Sequence, residues 1–306
     1  MTEGRSTGEL PAQSAVRSVD LGDVRLTYVT DGAMAMRPSG FFPHVPASYW
    51  DGHPEALDSR GRVIMSAGGL LVERDGEALL IDTGYGDYQG ESRAGRVNTG
   101  ALPEVLAALG YPPERIGAVA FTHLHIDHTG WAFRPDGNGS AEKMFPKASY
   151  IVAAEEWAPH QRGENQAGTP PRVAERLAAC DLTLVEDGTE IIPGVTALVT
   201  PGHTPGHTCY VISGAGRDRV IALGDAFHMP AQIAHPEWPS LPDFDTHGVL
   251  AVRERLRAEL EQPGTRGFAC HFGDQVFGRV TRDPGGAPVW EPVPTTELGP
   301  PPRHLD

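Results

Sequence analysis

The chain has 306 residues, 40% of them hydrophobic and 21% charged, which is ordinary globular usage with enough apolar material for a sizeable core. Its formal net charge is −15 with histidine neutral, a poor balance for gripping phosphate backbones, so nucleic acid is not an expected partner. The three cysteines, Cys180, Cys209 and Cys270, are too few and too scattered for a disulfide framework.

The first residues, MTEGRSTGELPAQSAV, lack the basic start and apolar core of a signal peptide. No apolar run approaches the roughly 18 residues that span a bilayer. A cytoplasmic protein without a membrane partner is the expectation. Residues 1–17 and the Pro-rich stretch 293–306 read as flexible ends around one domain over 18–292, with no repeat or linker inside it.

In chain order, segments 24–29, 69–73 and 78–81 read as strands, the last running into Asp82-Thr83-Gly84. Segment 102–109 has helical spacing and closes at Gly110. A short apolar strand at 118–122 follows, and strands continue at 150–153, 182–185, 197–200, 210–212 and 220–223. Segment 249–260 is an amphipathic helix with Val249, Val252, Leu256 and Leu260 on one face, and 267–271 is a last strand. Interleaved strands and helices predict an α/β layered architecture.

Chemistry concentrates at His123-Leu124-His125-Ile126-Asp127-His128-Thr129-Gly130, directly after the 118–122 strand. In an extended segment His123 and His125 point the same way, and a tight turn can bring Asp127 and His128 towards a second centre. Imidazole and carboxylate at this density suit zinc or a similar divalent ion; solvated loop side chains are the alternative. Three further donors recur just past strands: His203 in Thr200-Pro201-Gly202-His203-Thr204-Pro205-Gly206-His207, Asp225 after Gly224, and His271 after Cys270.

This order of His-x-His-x-Asp-His, then His, Asp and His, resembles the metallo-β-lactamase-fold hydrolases, and Asp82-Thr83-Gly84 is also typical of them. The resemblance covers residues 20–290. It implies an αββα sandwich of two mixed β-sheets flanked by helices, with two divalent ions at one edge: zinc, or else manganese, iron or cobalt. By motif, His123, His125 and His203 would hold one ion, Asp127, His128 and His271 the second, and Asp225 would bridge them. The implied mechanism is attack by a hydroxide shared between the ions, with Asp127 shuttling the proton to the leaving group. His228, three residues after Asp225, stands where acyl-homoserine lactonases carry a tyrosine that contacts the substrate oxygen. An imidazole there would be a second catalytic group, donating a hydrogen bond or proton; an ordinary loop residue is the alternative. His207, Cys209 and Cys270 are expected to be structural.

Aromatic and apolar residues crowd the loops near these motifs: Phe41, Phe42, Trp50, Trp131, Phe133, Phe227, Met229 and Trp238. Some must be core, yet together they suggest an apolar mouth. The chain is most similar to the subgroup of lactonases and methyl parathion-type hydrolases. Opening of a lactone, or cleavage of a related ester, is the implied reaction. Organophosphate triester hydrolysis and glyoxalase II-like thioester hydrolysis are the alternatives, the latter disfavoured by a short Pro-rich chain after His271. A mononuclear iron persulfide dioxygenase stands further off, because it leaves the second donor set empty. The expected partner is a small molecule with apolar character, and a homodimer is left open.

Overall fold

The two longest strands among the described residues form the middle of the first sheet. Val24–Met36 and Val63–Arg74 pair antiparallel along almost their full length and are buried nearly throughout. Each extends beyond the expected 24–29 and 69–73. The extra length of the first is small-residue strand, Gly32 to Met36, roofed by the hairpin Tyr88–Glu91/Gly95–Thr99. The computed structural model describes residues 5–135, 141–164, 166–303 and 305.

The first sheet runs in the order Arg5–Ser6, Thr295–Gly299, Val16–Leu21, Val24–Met36, Val63–Arg74, Glu77–Ile81, Ala118–Ala120, Ser149–Ala153 and Leu182–Val185. The second runs Glu190–Ile192, Val195–Val199, Thr208–Ser213, Arg219–Ala222, Thr265–Phe268, Phe277–Arg282 and Pro288–Pro292. Both are mixed. Glu77–Ile81 and Ala118–Ala120 are parallel neighbours in one, and Arg219–Ala222 and Thr265–Phe268 in the other, so each pair brings its carboxyl ends side by side.

The inner faces meet in a core that includes Leu26, Tyr28, Leu70, Leu79, Ala197, Tyr210, Val220, Phe268 and Phe277. Leu102–Ala108, Ala154–Gln161 and Pro171–Ala178 cover the outer face of the first sheet through Leu102, Leu106, Trp157 and Leu177. Thr246–Leu260 covers the second through Val252, Leu256 and Leu260. The result is the αββα sandwich. That last helix starts three residues before the expected 249 because Asp245 caps it, accepting from the His247 N–H at 3.1 Å. Among the described residues no helix is long and apolar enough to cross a membrane.

Within the segments expected to be flexible the structure has strand at Arg5–Ser6, at the start of Val16–Leu21 and at Thr295–Gly299. Arg5–Ser6 pairs with Thr295–Gly299, and that strand pairs with Val16–Leu21. The tail's prolines (Pro292, Pro294, Pro300) flank the strand instead of interrupting it, so its amide donors remain free for the ladder. Arg17 locks the arrangement: it is buried, forks onto both oxygens of Asp274, and donates to Thr295 Oγ1 and Ser6 Oγ. Asp274 also accepts the Ala15 N–H at 2.9 Å.

Asp274→Ala would strand a buried guanidinium, which is expected to cost about 3–5 kcal/mol of stability. Urea denaturation of the variant measures it. A loss below about 1 kcal/mol, the range of an exposed pair, would show that the sheet edge holds the ends without this pair.

Candidate metal centre

Every donor named from the motifs lies just beyond a strand. Ala118–Ala120 leads to His123, and His125, in extended conformation, opens the single turn Ile126–Thr129 that carries Asp127 and His128. His203 follows Val195–Val199, Asp225 lies in the turn Gly224–Ala226 after Arg219–Ala222, and His271 follows Thr265–Phe268. The two sheets deliver these loops to one edge of the sandwich.

There the structure brings all seven together around the Asp225 carboxylate. Donor atoms of His123, His125, His203 and Asp225 all lie within 4.8 Å of one another, and so do those of His128, Asp225, Cys270 and His271. Asp225 Oδ2 is 3.2 Å from His203 Nε2 and 3.7 Å from His123 Nε2. Its Oδ1 is 3.0 Å from both His128 Nε2 and His271 Nε2. Asp127 Oδ2 stands 3.8 Å and 3.7 Å from the same two imidazoles, at the more open side.

Outer partners fix how each ring is protonated. His128 Nδ1–H donates to Asp82 Oδ2 at 2.8 Å, His203 Nδ1–H to Asp243 Oδ1 at 2.8 Å, and His271 Nδ1–H to the Ser66 carbonyl at 2.8 Å. Thr122 donates its hydroxyl to Asp82, so it accepts from His123 Nδ1–H at 3.0 Å. In its neutral form each of the four rings therefore presents a bare Nε2 lone pair to the cleft. His203 Nε2 faces His125 Nδ1 at 3.0 Å. His123 Nε2, His128 Nε2, His271 Nε2 and Asp225 Oδ1 are buried and make no hydrogen bond. Buried acceptors that face only acceptors are costly, and a cation between them is the group that satisfies such a set. The donors present fit divalent metal.

The electrostatics agree. Burial would raise the Asp225 carboxyl, but the surrounding imidazoles, His128 and His271 first, hold it well below the usual carboxylate range. Burial pushes His123 well down and His125 to about 4, each also opposed by neighbouring rings. Against burial, Asp225 and Asp243 lift His203 to about 9, and Asp225 and Asp82 lift His128. Without a cation these two rings favour a second proton, on Nε2; the cleft thus calls for positive charge beside Asp225, which a bound cation would supply instead.

His207 lies outside both donor groups. Its Nε2 accepts the Asp225 N–H at 2.9 Å and its Nδ1 donates to Thr200 Oγ1 at 2.9 Å, so it holds the backbone that carries the carboxylate. Burial pushes it down to about 3, which keeps it neutral. His228 is fully buried with Nε2 3.1 Å from Asp225 Oδ2 and Nδ1 3.0 Å from Ser240 Oγ. Ser240 accepts from Gln232 Nε2, which leaves its hydroxyl free to donate to His228 and directs the His228 Nε2–H at the carboxylate. Its ring lies parallel to that of His271, centroids 5.6 Å apart.

Several residues that matter here lie outside the donor motifs. Asp82, at φ +63, bends into the left-handed region to reach both Thr122 and His128. Glu156 accepts from the Leu124 N–H, the Thr204 hydroxyl and the Gly206 N–H, stapling the His123 loop to the His203 loop. Gly206 is required there: a Cβ would sit 1.9 Å from the Glu156 nitrogen. Arg253, fully buried on Thr246–Leu260, binds Asp243 Oδ2 at 3.3 Å and the carbonyls of Ala226 and Trp238 at 2.7 and 2.6 Å. Only Asp82 had a signal, the Asp-Thr-Gly turn; an isolated buried Arg or Glu has none.

A cavity of about 390 Å³ meets the site at His271, lined by Trp50, Ile64, Met229 and Tyr49 among others. Phe41 packs its ring edge on His228, centroids 5.4 Å apart. Of the other aromatics expected near the mouth, Phe42 and Phe227 are fully buried core, and Phe133 packs in the outer layer of the first sheet. Trp131 is there too, donating to Asp31 at 2.9 Å.

Four layers with a histidine–carboxylate cleft at the sheet edge define a metal-dependent hydrolase. The family model described as Metallo-beta-lactamase superfamily matches residues 69–271, and the chain belongs to that superfamily. It is 29% identical over 226 residues to an N-acyl homoserine lactonase of Bacillus sp., covering 68% of this chain and 82% of that one. It is 31% identical over 191 residues to a probable metallo-hydrolase of Mycobacterium tuberculosis, covering 52% and 56%. Among solved structures it superposes on AidC, a dizinc quorum-quenching lactonase in complex with a product, with a TM-score of 0.77 at 22% identity, over 94% of this chain and 99% of that one. It superposes on the hydrolase AbOPH with a TM-score of 0.75 at 25% identity, over 92% and 98%. The AidC likeness is one of fold.

Asp243→Ala would free His203 to rotate and leave Arg253 unpaired. Its metal affinity, read by competition with a chromophoric chelator, is expected to fall by about 10–100-fold. Unchanged affinity would mean that packing alone orients His203.

Proposed function

We propose that the chain opens a lactone, or cleaves a related ester, at two divalent ions. His123, His125, His203 and Asp225 hold one; Asp127, His128, His271 and Asp225 hold the other. The observation that carries this reading is the Asp225 carboxylate, with His203 3.2 Å from one oxygen and His128 and His271 each 3.0 Å from the other. The lactone substrate is supported by the N-acyl homoserine lactonases among the relatives and by the largely apolar cavity that meets His271. Zinc suits the imidazole-rich donor sets best.

Bound there, such ions supply Lewis acidity that acidifies water and polarises a carbonyl oxygen. The chain's own groups do the rest. Asp127, with 16% of its side chain exposed, is the least buried carboxylate of the set. It takes the proton released by the attacking water and delivers it to the leaving oxygen. His228, made an Nε2–H donor by Ser240, swings that hydrogen bond from Asp225 Oδ2 to the substrate oxygen. Trp50, Met229 and Phe41 seat the apolar part of the substrate and exclude water.

The purified protein is expected to contain two divalent ions per chain by elemental mass spectrometry and to lose turnover with a strong chelator. Full activity at one ion per chain would overturn the shared carboxylate. Across lactones, aryl esters, thioesters and phosphotriesters, the highest kcat/KM is expected on a lactone with an apolar chain; a phosphotriester or thioester at the top would replace that substrate class. His228→Phe is expected to lower kcat by less than the roughly 10²–10³ of a best-placed oxyanion donor, with metal content unchanged and partial recovery in His228→Gln. Metal loss in His228→Phe would make His228 a support of the metal cleft instead.

A further inference from the structure

Beyond Thr265–Phe268 the chain passes through Ala269 into a turn that carries Cys270 and His271. Phe268 and Cys270 point into the core between the sheets, while Ala269 joins the outer layer. Cys270 is therefore the last inward residue before His271, and it sits where apolar core gives way to the donor cleft. Its side chain is 5% exposed. The sulfur lies within 4.8 Å of the donor atoms of His128, Asp225 and His271. Three of the atoms around it, His128 Nε2, His271 Nε2 and Asp225 Oδ1, are buried and make no hydrogen bond. Four donor atoms grouped within 4.8 Å of one another are a set that could hold one ion.

We propose that Cys270 Sγ is a donor to the second ion, making that site a nitrogen–oxygen–sulfur set of His128, His271, Asp225 and Cys270, with Asp127 at its open side. This rests on the metal reading above and goes beyond it, because the motif assigns Cys270 no role. The other thiols differ. Cys209 is buried too, but its sulfur is held by Thr200 Oγ1 and the Leu223 carbonyl, both at 3.4 Å, and it belongs to the outer layer. Cys180 is partly exposed and distant in the fold, after Pro171–Ala178. Binding replaces the S–H proton by the ion and releases that proton to solvent. A soft sulfur donor biases the second site towards zinc, cadmium or cobalt and against manganese or magnesium. The two sites therefore differ in metal preference although they share a carboxylate.

The test titrates the metal-free protein with Co²⁺ in a Cys180→Ser, Cys209→Ser background, where Cys270 is the remaining thiol. Visible ligand-field bands report ions bound by imidazole and carboxylate. A near-ultraviolet sulfur-to-cobalt charge-transfer band reports a thiolate ligand. Both are expected, and adding Cys270→Ala should abolish the ultraviolet band, keep visible bands, and weaken the second cobalt by at least about tenfold. Should the background fold poorly, the unaltered chain is compared with Cys270→Ser in the same way. Visible bands without the ultraviolet band, or an ultraviolet band that survives loss of Cys270, overturns the thiolate and leaves the metal reading standing. No cobalt bands at all sinks both.

Discussion

One buried carboxylate organises this edge of the sandwich. Asp225 is 2% exposed and has four imidazole nitrogens within 3.2 Å of its oxygens, those of His128, His203, His228 and His271. A carboxylate taken out of water is held only by charge or hydrogen bonds that replace hydration. Three of those nitrogens, on His128, His203 and His271, are bare lone pairs when the ring is neutral, because its one proton then goes to an outer partner. The fold has therefore spent hydrogen-bond donors outside the cleft to keep acceptors inside it. That is the electrostatic signature of a cation site, and it explains why the outer shell is as ordered as the inner one.

The outer shell also ties the chemistry to the architecture. Asp82 follows Glu77–Ile81 and holds the His128 turn; Ser66, in Val63–Arg74, holds His271 across the sheet interface. Glu156, itself 48 residues from Thr204, ties the loop of Leu124 to that of Thr204. Arg253 binds the loop carbonyls after Asp225 to the helix that covers the second sheet, and Asp243 relays this to His203. A shift of either sheet relative to the other would move donors on both sides of Asp225. Packing of the inner core, centred on residues such as Tyr28, Leu70, Tyr210 and Phe268, is thus what sets the distances across the cleft.

How much of this was legible follows from where the information sits in the chain. The donor cluster at 123–128 was readable because four ligand-type side chains fall in six residues beside an apolar strand, and His203, Asp225 and His271 were readable by their place after strands. Periodicity located two of the four outer helices and about half of the strands, with ends off by a few residues where a cap such as Asp245 extended the element. Asp243, Glu156 and Arg253 were opaque because their partners lie tens of residues away and their local sequence is that of any turn or helix. The strands Arg5–Ser6 and Thr295–Gly299 were not legible for the same reason. Proline and polar residues look unstructured until a distant strand supplies a ladder, and the Arg17–Asp274 pair that fastens them spans 257 residues.

The apolar cap and the polar cleft are not separate units. Phe41 touches the His228 ring, and its carbonyl accepts the Leu241 N–H at 2.9 Å. One residue earlier Ser240 holds His228, and two residues later Asp243 holds His203. The stretch 240–243 therefore faces the substrate-side apolar cluster with its backbone and the metal-side imidazoles with its side chains. Changes to the cluster of Phe41, Trp50, Met229 and Trp238 cannot alter substrate fit alone, since any displacement of that stretch re-aims two imidazoles at Asp225. In a close-packed interior such displacements are transmitted with little loss. On the proposed function, substrate preference and metal geometry are coupled through the four residues 240–243, which is why apolar substitutions in the cap belong with the chemistry of the cleft.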